Sequence, residues 1–100
     1  MTTALHARPT RRTAAVVALD ERHAQIALFE GTGRPMVADI ERGTDCDDQY
    51  LQRVVREVGD AADVAVVGSD PARLAFERKY VAINGRPERL RDASARPAKN

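Results

Sequence analysis

The chain has 100 residues, 43% hydrophobic and 31% charged, with a net charge of +1. That suits one soluble domain, because two cores of about fifty residues each would sit near the lower limit of self-stability. Its longest apolar run, Ala14 to Leu19, is too short to span a bilayer, and the single cysteine, Cys46, excludes an internal disulfide.

Residues 1–12 hold three arginines and no acid, and the start from Met1 to Pro9 has no apolar stretch following its charges. A flexible basic tail and a cytoplasmic location are expected. Thr13 to Leu19 is a β-branched and small apolar run, Ala24 to Glu30 alternates with Ile26 and Leu28 on one face, and the polar Asp20-Glu21-Arg22-His23 between them reads as a hairpin turn. Gly31-Thr32-Gly33-Arg34-Pro35 is a second turn, and a third strand runs from Met36 to Glu41. Ala14, Val16 and Ala18 share one face of the first strand, and Ala15, Val17 and Leu19 the other. With both faces apolar, the strand is expected at the centre of a sheet that helices cover.

Beyond Gly43, Thr44 followed by Asp47 resembles a capping box, and Tyr50, Leu51, Val54, Val55 and Val58 fall on one helical stripe. This predicts a helix from Asp45 to Val58, stopped by Gly59. Asp63 to Gly68 is apolar on both faces and reads as a buried strand. Ser69 or Asp70 then caps a helix from Pro71 to Tyr80, which is expected to bury Leu74 and Tyr80 with Ala75 and Phe76 beside them. Asn84-Gly85 is a turn, Glu88 to Asp92 a short edge strand, and residues 93–100 a second flexible tail. The expected fold is therefore a single α/β domain over residues 13–92, with the order β-β-β-α-β-α and a closing β. A right-handed crossover sets the fourth strand parallel to the first, in a ribonuclease-H-like mixed sheet.

Two stretches carry a family likeness. Val17-Ala-Leu-Asp-Glu-Arg-His-Ala-Gln-Ile-Ala-Leu-Phe29, a strand, a charged turn and a second strand, resembles the start of small bacterial proteins related to the archaeo-eukaryotic release factor and Pelota group. Val64-Ala-Val-Val-Gly-Ser-Asp-Pro-Ala-Arg73, leading into Leu74 to Tyr80, is similar to their second signature, a buried strand with a Gly- and Pro-containing turn and a basic residue on the next helix. The resemblance implies association with the translation machinery, in ribosome rescue, release-like or hibernation-like roles. It does not imply peptide release, because the Gly-Gly-Gln tripeptide of the release factors does not occur in this sequence.

Charge is segregated along the chain: residues 13–70 hold five bases against twelve acids, and residues 71–100 eight bases against three acids. Arg73, Arg78, Lys79, Arg86, Arg89 and Arg91 are the candidate phosphate-binding set, a C-terminal basic surface for rRNA or the ribosome. Only Phe76 and Tyr80 lie nearby, so backbone contact is expected rather than base stacking. The same six suit a solvated face with Glu77 and Glu88 paired locally.

The ribonuclease-H-like order also invites a nuclease, whose carboxylates would hold two metal ions about 4 Å apart. Asp20, Asp70, Asp47, Asp48 and Glu57 are the available acids, but Asp20 is ordinary turn chemistry and Asp70 a helix cap. Gly68 to Arg73 places backbone N–H groups where anions bind in α/β folds, yet Asp70 opposes an anion there. His6 and His23 have no metal-ligand spacing, and Cys46 sits among Asp45, Asp47 and Asp48, which disfavour its thiolate. We therefore expect a non-catalytic accessory protein of translation, with no cofactor, no metal and no membrane. The alternative is a dimeric protein-binding scaffold that pairs through its sheet edge and has no nucleic-acid partner.

Overall fold

The apolar run from Ala14 to Leu19 and the two segments after it, up to Glu41, become an antiparallel meander in the computed structural model, which describes residues 13–31 and 34–92. Strands β1 (Ala14–Leu19), β2 (His23–Phe29) and β3 (Met36–Glu41) are followed by helix α1 (Asp47–Val58), strand β4 (Asp63–Gly68), helix α2 (Asp70–Asn84), a 3-10 turn (Pro87–Arg89) and strand β5 (Leu90–Asp92). The sheet order is β3-β2-β1-β4-β5, with β1 in the middle. β2 is antiparallel to β1 and β3, whereas β4 is parallel to both β1 and β5. This is the expected single α/β domain with a mixed, ribonuclease-H-like sheet. The two expected tails, residues 1–12 and 93–100, lie outside the described residues, as do residues 32–33 of the second turn. Among the described residues no helix is long and apolar enough to cross a membrane.

The core lies between the sheet and both helices. Leu28, Ala15 and Val64 form one row across β2, β1 and β4, and Ile26, Val17 and Val66 the next. All six are buried beneath Tyr50, Leu51, Val54, Val55 and Val58 of α1 and Ala72, Phe76 and Tyr80 of α2. Each fully buried branched side chain contributes about 1.5–3 kcal/mol. Gly68 closes β4 opposite Leu19. Its φ is +151°, and a Cβ there would lie 2.2 Å from the Leu19 carbonyl oxygen, so the two strand ends approach only because this position is glycine.

Several details differ from the sequence reading. Both faces of β1 and β4 were expected under helices, but burial alternates: Ala15, Val17, Leu19, Val64 and Val66 are buried, while Ala14, Val16, Ala65 and Val67 are half-buried and Ala18 is exposed. The cause is topological. The β3-to-β4 and β4-to-β5 crossovers run the same way across the sheet between parallel strands, so right-handed connections put α1 and α2 on one face. Helix α1 starts at Asp47, with Cys46 as its N-cap. Asp45 is held back by Arg53, 2.6 Å from its carboxylate, and by Arg42 Nε, 2.9 Å from its carbonyl. The Gln49 side chain, rather than Asp47, accepts from the Cys46 N–H at 3.3 Å. Helix α2 extends to Asn84, one turn past Tyr80, and ends at left-handed Gly85, whose N–H bonds Val81 O at 2.8 Å. Its buried stripe is Ala72-Phe76-Tyr80 at i, i+4, i+8, which leaves Leu74 44% exposed on the flank.

Candidate nucleic-acid interface

The six basic positions read from the sequence do not form one patch. Arg73, in the first turn of α2, is largely enclosed and lies 2.6 Å from Asp70 and 3.7 Å from Glu77. Lys79 reaches across to Asp48 on α1, and Arg91 on β5 pairs with Asp63 on β4. These three cations are neutralised by local carboxylates. Arg78 is exposed, in a hollow with Glu77, Val81, Ala82, Pro87 and Leu90, and makes no side-chain hydrogen bond or ion pair among the described residues.

Arg86 and Arg89 do come together, with a residue that sequence reasoning missed. α1 and α2 pack side by side and both end at glycines with positive φ, Gly59 and Gly85. Between these two C-termini lies a cleft of about 510 Å³, lined by Gln52, Arg56, Asp60, Asn84, Arg86 and Arg89 together with Val55, Gly59 and Ile83. Arg56 comes from the last turn of α1, Arg86 from the turn after α2, and Arg89 from the 3-10 turn before β5. Arg89 Nη1 donates to the Asp60 carbonyl at 3.5 Å, and Arg86 lies 3.6 Å from Glu88. Arg56 is exposed and without a side-chain partner among the described residues. Two helix C-termini carry partial negative charge toward this cleft, which keeps three guanidinium groups together at modest cost. Guanidinium forks match phosphate oxygens, and Gln52 and Asn84 add neutral donors. The signal for Arg56 was present only as an exposed basic residue in a last helical turn; its proximity to Arg86 depends on how the helices pack.

The opposite end of the helical layer is acidic. A smaller hollow, about 150 Å³, opens beyond the C-terminal ends of β1 and β4 and is lined by Asp20, Glu21, Asp47, Tyr50, Leu51, Pro71, Ala72 and Ala75. Asp20 Oδ1 accepts from the backbone N–H of Arg22 at 2.7 Å and of His23 at 2.8 Å, and these two bonds lower its pKa. Tyr50 donates its hydroxyl proton to the Asp20 carbonyl at 3.0 Å; burial, followed by the Asp20 charge, pushes its pKa up to about 12. Of the acids weighed for a two-metal centre, Asp47 pairs with Arg42, Asp48 with Lys79 and Asp70 with Arg73, while Glu57 belongs to the far end of α1. Among the described residues no three His, Cys, Asp or Glu side chains converge as metal ligands.

No protein-family model matches the chain, and no curated protein matches it in sequence. Among solved structures it is similar to the Pelota protein of Thermoplasma acidophilum, with 26% sequence identity and a TM-score of 0.56. The match covers 82% of this chain and 28% of that one, so the chain corresponds to under a third of Pelota's length. The likeness read from the two sequence stretches is thus matched in three dimensions by a Pelota-like fold relationship.

Proposed function

We propose that this protein is a non-catalytic accessory factor of the translation machinery that contacts rRNA phosphates through the Arg56-Arg86-Arg89 cleft, with Arg78 on the adjoining surface. The observation that carries the reading is the meeting of three arginines from three separate segments around one cleft that holds a single lining carboxylate, Asp60. The similarity to Pelota and the release-factor likeness of the sequence support the translation context. Arg73, Lys79 and Arg91 leave the proposed contact set, because phosphate would have to displace carboxylates that already hold them. A surface built this way binds by charge and carries little base readout, since no exposed aromatic side chain lines it.

Pelleting with purified ribosomes across a salt series tests this reading. The expected result is comigration at low salt and release as salt rises, with log affinity falling by roughly 2 to 3 per log unit of salt for three phosphate contacts. A protein that stays in the supernatant at every salt concentration would instead fit the dimeric scaffold without a nucleic-acid partner.

A further inference from the structure

The inward stripe of α2 does not stop at the core. Ala72, Phe76 and Tyr80 are buried, and Ile83, three residues beyond Tyr80 and seven beyond Phe76, falls on the same side of the helix. Ile83 is nonetheless 51% exposed, and it lines the arginine cleft where α1 has ended at Val58. The cleft therefore offers more than charge. Beside Ile83, Asn84 makes no side-chain hydrogen bond among the described residues, and Gln52 uses Nε2 to donate to Asp48 at 3.2 Å, leaving its Oε1 unbonded there. A phosphate group alone would match the three arginines and leave the aliphatic surface and the amides uncovered. At about 510 Å³ the cleft is of the size that encloses a small organic molecule, about 300–1,000 Å³.

We propose that the cleft admits one unstacked nucleotide, so that the RNA it engages is a single strand and not a duplex. This inference rests on the rRNA reading above and narrows it. The phosphates meet Arg56, Arg86 and Arg89, one face of the base packs on Ile83, and a guanidinium plane covers the other face. Asn84 offers the base edge both a donor and an acceptor, and Gln52 offers a free acceptor, so a base of any kind is satisfied without being selected. In a duplex the bases stay stacked inside, and only phosphate and ribose reach the protein. The Ile83 surface then stays wet.

Fluorescence anisotropy of the full chain tests this with three labelled probes of equal length at one low salt concentration: an RNA single strand, an RNA duplex, and a single strand of abasic ribose phosphate. Charge alone would favour the duplex, which carries phosphates on two strands. The intact single strand is instead expected to bind about tenfold tighter than either other probe, the scale of one base contact. Ile83→Ser is expected to bring single-strand affinity down by about tenfold and to leave duplex affinity within about twofold, while Ile83→Leu keeps the preference. Duplex or abasic binding as tight as that of the intact strand overturns the inference and leaves the charge reading of the cleft standing. An Ile83→Ser variant that keeps the full preference, or that loses both strand and duplex alike, overturns it too. Binding to none of the three probes overturns this inference and the rRNA reading together.

Discussion

The two ends of the helical layer carry opposite charge and hold it differently. At the end where β1 and β4 finish, the carboxylates already have partners: Asp20 binds two backbone N–H groups, Asp47 binds Arg42, Asp48 binds Lys79 and Asp70 binds Arg73. At the end where the helices finish, Arg56 has no partner among the described residues, Arg89 has one carbonyl at the limit of hydrogen-bond distance, and Arg86 has one exposed carboxylate. A charge that satisfies its own fold stabilises structure, whereas a charge held only by helix-end dipoles remains available to a ligand. The acidic end therefore acts as a structural clamp, and the basic end is the surface we propose for binding.

The clamp is broken most severely at Gly68. Gly68→Ala forces a Cβ to within 2.2 Å of the Leu19 carbonyl at a backbone conformation that L-residues rarely adopt. We predict a loss of about 3 kcal/mol or more in chemical denaturation. Substitution of Gly85, where a Cβ would meet open space and only the positive φ is at stake, is predicted to cost about 1 kcal/mol in the same measurement.

The two buried tyrosines sharpen the contrast. Tyr50 donates a hydrogen bond to the Asp20 carbonyl, whereas the Tyr80 hydroxyl is buried without a partner among the described residues. Tyr50→Phe is expected to cost about 1 kcal/mol, and Tyr80→Phe to be neutral or stabilising by up to about 1 kcal/mol, read as shifts in denaturation midpoint.

Smallest in effect is the pH dependence. The Asp20 pKa is lower folded than unfolded, so its contribution is present above the unfolded value of 3.8 and is lost as pH falls through the folded value. Asp20→Asn should flatten the acid limb of a stability-versus-pH curve. The Tyr50 pKa is raised by burial from 10.0 to about 12, so its contribution is complete below pH 10.0 and is lost as pH rises toward 12. Tyr50→Phe should flatten the alkaline limb.

Much of the fold was legible in the sequence because its signals are local. The period-two strands, the stripe from Tyr50 to Val58 and the Gly68-Ser69-Asp70-Pro71 junction each depend on neighbours within a few residues. The misreadings came from non-local terms. Leu74 looks like a core residue by hydrophobicity, but the Ala72-Phe76-Tyr80 face is the one turned toward the sheet. The small apolar residues Ala14, Val16 and Ala18 look buried, yet two crossovers running the same way leave them without a helix. At the basic end, Arg86 and Arg89 were legible as a turn-borne cluster, whereas Arg56 joins them only through the packing of α1 on α2. The local neutralisation of Lys79 by Asp48 and of Arg91 by Asp63 spans 31 and 28 residues, and no sequence window contains it.

The difference between the available and the neutralised cations gives the most direct test. Two triple variants, Arg56→Glu with Arg86→Glu and Arg89→Glu, and Arg73→Gln with Lys79→Gln and Arg91→Gln, can be compared by ribosome pelleting at one low salt concentration. We predict that the first loses at least about a hundredfold in affinity while the second stays within about threefold of the wild type. Retained binding in the first variant, or an equal loss in both, would contradict the assignment of the cleft as the contact surface.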